Sequence, residues 1–155
     1  MEQDKSVMTT NRQKYENYRE QFKRLEKALT YQFYLEALFI AYAIMEDRSE
    51  AILRYEENQI MGEKISIDRK LKKIVKIAEE KNSLANRYFK DELIMRALNW
   101  KEERNRLIHA LMKQCLTTQD LAELAEDGKA IARELSSKAT AYKRAVARRD
   151  GKSRV

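Results

Sequence analysis

The feature that most constrains this chain is what it lacks: 155 residues contain no proline and only 3 glycines. Tight hairpin turns draw on those two residues, so a many-stranded β fold has almost nothing to turn with. Helices need neither in their interiors, and hydrophobic spacing agrees with helix nearly throughout. Tyr15, Tyr18, Phe22, Leu25 and Leu29 step by three and four, with Glu16, Arg19, Glu20, Lys23 and Lys27 on the wet side. Thr30 is placed to cap the segment that follows. That segment, Tyr31 to Met45, is the most apolar of the chain and reads as a central core helix, apolar on most of its circumference. Glu46-Asp47-Arg48 then reads as a helix end reaching solvent, with phosphate contact by Arg48 as the functional alternative.

Gly62 marks a turn, and a short helix is predicted over Asp68–Glu80. Its Arg69, Lys70, Lys72, Lys73 and Lys76 read first as a solvated face and second as an RNA-backbone contact. Ser83 is a predicted N-cap, and one long helix is expected from about Leu84 to about Leu116. Thr117-Thr118 separates it from a last helix, in which Gly128 signals a kink or a close contact. Trp100 reads as packed, with base stacking as the alternative, and Cys115 as a small buried hydrophobe. The predicted fold is all-α, a single bundle of about five or six helices over residues 11–142, after a flexible 1–10 and before a basic tail at 143–155.

Several function classes drop out on composition. One cysteine and one histidine cannot build a zinc site or an intrachain disulfide, so no metal and no cofactor is expected. No run of 18 apolar residues exists and Met1 to Thr10 is polar, so neither a membrane partner nor a secretory leader is expected, and the cytoplasm is the default compartment. The net charge of +7 favours an acidic partner. Most of it lies at the C-terminal end, where Lys143, Arg144, Arg148, Arg149, Lys152 and Arg154 face only Asp150. A basic end of that kind adds salt-sensitive affinity for nucleic acid, although cations there also suit the helix dipole.

The solitary histidine makes the search for chemistry short. His109 follows Arg104 by five residues and Asn105 by four. On a helix Asn105 and His109 share a face, while Arg104 stands roughly 140° away. Histidine titrates near neutrality and arginine offers a planar fork to phosphate. Arg104-Asn105-x-x-x-His109 resembles the Arg-x(4–6)-His motif of HEPN domains (higher eukaryotes and prokaryotes nucleotide-binding), in which the Arg is often followed by Asn. The resemblance covers the architecture loosely and about six residues sharply.

It implies a metal-independent endoribonuclease, a toxin or defence effector, cleaving RNA in the cleft of a homodimer. Arg104 would stabilise the phosphate charge, His109 would move the proton, and Asn105 would orient the pair or bind phosphate. Arg48, Lys101, Arg106, Lys143, Arg144, Arg148 and Arg149 are the candidate RNA contacts. The resemblance also leaves room for an antitoxin or regulatory protein partner. One toxin group of the family carries Tyr two residues after the His; Leu111 stands there, which speaks against that group. The alternative to an enzyme is a non-catalytic helical module that binds RNA or docks a partner.

Overall fold

The computed structural model describes residues 10–56, 65–113 and 116–151. Six helices follow one another: α1 (Asn11–Thr30), α2 (Tyr34–Tyr55), α3 (Ile67–Ala78), α4 (Leu84–Phe89), α5 (Leu93–Ala110) and α6 (Thr118–Arg149). The protein is an all-α bundle, with no strand among the described residues. Gly62 and Cys115 lie outside them.

Local chemistry explains most of the helix starts. Thr10 and Gln13 form a reciprocal capping box at α1, and Thr117 and Asp120 form one at α6. The hydroxyls of Ser66 and Ser83 accept from Arg69 N–H and Asn86 N–H, so Ser83 caps as expected. Thr30 does not cap α2. Its hydroxyl turns back to donate to the Glu26 carbonyl, 2.9 Å away. The chain stops instead at Gln32, whose φ of 61° is left-handed, and Phe33 N–H bonds back to the Ala28 carbonyl at 2.8 Å.

Helix α2 is the centre of the bundle, packing against α1, α3, α5 and α6. Leu38, Ala41, Met45, Ile52 and Leu53 are fully enclosed. Each Leu or Ile so buried is worth about 1.5–3 kcal/mol over leaving it in water. Glu46-Asp47-Arg48 does not end this helix, which continues through them to Tyr55. Neighbouring helices supply what water was expected to supply: Glu46 accepts from Lys70 of α3 at 3.3 Å, and Arg48 donates to Tyr18 of α1 at 2.6 Å.

The long helix expected over 84–116 is broken in two. Between α4 and α5, Asp91 accepts from Leu93 N–H at 3.2 Å. Lys138 of α6 donates to the Tyr88 carbonyl at 3.1 Å and pairs with Asp91. A lysine from another helix thus fixes the break. Gly128 marks a close contact: a Cβ built there would lie 2.6 Å from Cζ2 of Trp100. Trp100 is buried and its Nε1 donates to the Leu124 carbonyl at 2.8 Å. Residues 143–149 belong to α6, where Ala145 and Val146 are buried. No helix among the described residues is long and apolar enough to cross a membrane.

Candidate active site

Helix α5 carries Arg104, Asn105 and His109 near its C-terminal end. Trp100, wedged against Gly128, and Leu107, buried below, fix the rotation of this helix. That rotation leaves Arg104 and Asn105 half-buried and His109 exposed. The Arg104 guanidinium lies 4.2 Å above the centre of the Tyr42 ring of α2. Its Nη1 donates to Asn105 Oδ1 at 3.0 Å. Its Nε is buried without a hydrogen-bond partner among the described residues, so the ring face is its compensation on that side. The guanidinium is therefore held in place rather than swinging freely, which is what a positioned phosphate ligand needs.

His109 makes no hydrogen bond to Arg104 or Asn105 among the described residues. The two charged-group positions stand about 140° apart around the helix. Between them lie Asn105 and half-buried Ile108, with Met112, 96% exposed, just past the helix end. The chain thus presents the three side chains on one broad face without closing them around a common point.

The other candidate contacts are dispersed. Lys101 turns inward; it is buried, and its Nζ donates to Asp68 of α3 at 2.7 Å. Asp68 also pairs with Lys72 at 2.7 Å, and the two ammonium groups, Lys101 first, hold its carboxyl down from 3.8 to about 2. Arg106 is exposed but forks onto Glu103 at 2.8 and 3.0 Å, which raises the one and lowers the other. Arg148 is exposed at the end of α6, and Arg149 pairs with Asp150 at 3.1 Å.

Arg48, Lys143 and Arg144 are brought together, but elsewhere. They line a groove between α1 and α6, on the side of α2 that carries Arg48 toward Tyr18 rather than the side that carries Tyr42 toward Arg104. Lys14, Arg19, Lys23 and Arg133 share that groove. Of these, Arg19 and Lys23 read from the sequence as part of a wet face, and Lys14 and Arg133 drew no reading. The available signal was the interleaving of Lys14, Arg19 and Lys23 with Tyr15, Tyr18 and Phe22 on three successive turns. Tyr42, the platform under Arg104, carried no signal of its own in a generally aromatic segment.

Among the described residues no three His, Cys, Asp or Glu side chains converge as a metal site. The chain matches no family model, no curated protein and no solved structure.

Proposed function

We propose that the protein is a HEPN-type endoribonuclease acting through Arg104, Asn105 and His109. The observation that carries this reading is an exposed His109 on the same helix as a guanidinium already oriented by Tyr42 and Asn105. RNA brings its own nucleophile, the ribose 2′-hydroxyl. A base takes its proton as the oxygen attacks the adjacent phosphorus, the bond to the 5′-oxygen breaks, and that oxygen receives a proton. The products are a 2′,3′-cyclic phosphate and a free 5′-hydroxyl. His109 is the group that carries one of these protons in this reading. Arg104 stabilises the charge that gathers on the phosphate oxygens. A single protomer keeps the two apart, so the reading includes a second copy facing α5, which sets Arg104 of one protomer toward His109 of the other. Ile108 and exposed Met112, lying between them, supply apolar contact for that copy.

A test uses purified protein, a 5′-labelled mixed-sequence RNA and buffer containing a chelator. Cleavage leaving cyclic phosphate ends is expected, with His109→Ala and Arg104→Ala each slower by about 100-fold or more. Unchanged cleavage by folded His109→Ala overturns the assignment.

One observation favours a second reading, a non-catalytic RNA-binding module: seven Lys and Arg side chains line the α1–α6 groove, which excludes all three motif residues. Absence of cleavage by the wild-type dimer, with RNA still bound, selects that reading.

A further inference from the structure

Helices α1 and α6 both rest on α2 but diverge from one another, leaving an open groove of about 990 Å³. Its floor is α2, which contributes Arg48 and Tyr55. Lys14, Arg19 and Lys23 stand along one wall; Arg133, Lys143 and Arg144 stand along the other. The one carboxylate in the lining is Glu26, at the end where Arg133 reaches it at 2.7 Å and Lys129 at 3.4 Å. That pairing holds the Glu26 carboxyl below its ordinary value, through the Arg133 hydrogen bond first. Arg48 pairs with Asp47 at 3.3 Å, whereas Lys14, Arg19, Lys23 and Arg144 have no ion pair among the described residues. A groove of this sign repels cations, gains nothing from a neutral ligand, and relieves its own repulsion by taking up an anion.

We propose that this groove binds the backbone of single-stranded nucleic acid. Length points to a polymer. Lys14 and Lys23 lie about 14 Å apart along α1, and Arg133 and Arg144 about 16 Å apart along α6, at 1.5 Å per residue. Cations spaced over that length, at Lys14, Arg19 and Lys23 on one wall and at Arg133 and then Lys143 and Arg144 on the other, suit a chain of phosphates rather than a single one. The rings point to unpaired bases. Tyr15, 67% exposed, stands at the lip beside Lys14. Tyr18 and Phe22 continue the row inward, already covered by Arg48 at 4.0 Å and Arg133 at 5.1 Å. A ring open on one face between free cations is the arrangement on which a splayed base stacks while its phosphate is neutralised. Ser136 lines the same groove, and its buried hydroxyl has no partner among the described residues.

The test is fluorescence anisotropy of the full chain with a labelled 12-mer of deoxyuridylate, which lacks the 2′-hydroxyl and so cannot be cut by 2′-oxygen attack. The ribonuclease reading and this one therefore fail separately. Binding is expected at 50 mM NaCl, weakening as salt rises. The Lys14→Glu/Arg144→Glu double variant should raise Kd at least tenfold and flatten the log–log salt slope by about 1.4, at 0.7 per lost phosphate contact. Lys73→Glu/Lys90→Glu makes the same charge change on α3 and after α4 and should shift Kd less than threefold. Tyr15→Ala, with no charge change, should weaken binding several-fold at equal salt slope. If the reversal variant melts early, Lys14→Gln/Arg144→Gln replaces it, with the same direction expected. Equal weakening by both double reversals, no binding at 50 mM NaCl, or equally tight binding of a 12-residue polyglutamate overturns the proposal; the last would make the groove a dock for an acidic protein.

Discussion

Gly128→Ala tests the packing that aims the candidate site. On helix propensity alone the change should stabilise α6 by about 1 kcal/mol, because alanine loses less backbone freedom than glycine. The structure predicts the opposite sign. The new Cβ would stand 2.6 Å from Cζ2, 2.8 Å from Cε2 and 3.0 Å from Nε1 of Trp100. Carbon atoms in contact sit at about 3.5–4.0 Å, so the ring must retreat by about 1 Å. It has nowhere cheap to go: Trp100 is 4% exposed, and its Nε1 is tied at 2.8 Å to the Leu124 carbonyl one turn before Gly128. Overpacking costs about 1–3 kcal/mol. Loosening the buried indole hydrogen bond costs about 1–2 kcal/mol more. After the propensity gain, the net is a loss of about 1–4 kcal/mol. For a chain of 155 residues that lowers Tm by about 2–16 °C. Urea unfolding should show a lower midpoint at unchanged slope. Replacing Trp100 with Phe should relieve part of the clash, so Gly128→Ala costs less in that background. A Gly128→Ala protein more stable than wild type would refute the wedge, and with it the account of how α5 is rotated.

Two further outcomes follow from the ion pairs and a third from the stacked guanidinium. Asp68 has a folded value of about 2 against an ordinary 3.8, so its pairing contributes stability above pH 4 and loses it as pH falls from about 4 toward 2. Asp68→Asn should therefore flatten that part of an acid titration of stability, and should lower stability at pH 7 because Lys101 is left buried without its carboxylate. Lys138→Met should destabilise by about 1–2 kcal/mol and speed amide exchange in residues 84–92, where the Tyr88 carbonyl loses its donor. Tyr42→Leu should keep the fold but lower RNA cleavage more than it lowers stability, since it removes the platform under Arg104; a cleavage rate equal to wild type would show that the stacked pose is idle.

Periodicity and capping chemistry made much of the bundle legible. Ser83 as a cap, Thr117-Thr118 as a boundary and Gly128 as a close contact all rest on neighbours within a few residues or on a missing side chain. What stayed hidden depends on partners far along the chain. Three charges in a row at Glu46-Asp47-Arg48 look like a helix end because the local Asp47–Arg48 pair, at 3.3 Å, does not by itself explain burial; Lys70 pairs with Glu46 and the Tyr18 hydroxyl accepts from Arg48 from 24 and 30 residues away. The break before α5 looks helical until Lys138, 47 residues from Asp91, holds it.

The candidate site divides along the same line. Arg104, Asn105 and His109 are near in sequence, so their helical relation could be computed; that Arg104 is pinned by Tyr42 could not. The groove is the sharper case. A wet helix face says only that it does not enter the core, and it leaves open what lies opposite. Lys14, Arg19 and Lys23 come to line one groove with Arg133, Lys143 and Arg144 because α2 seats α6 across from them. Two faces that each look solvated thus enclose one cleft, and their charges, unremarkable when counted along the chain, line the same space. The excess of +7 is therefore informative by position, not by sum. Salt dependence of binding, together with the reversal of Lys14 and Arg144, reads that position directly.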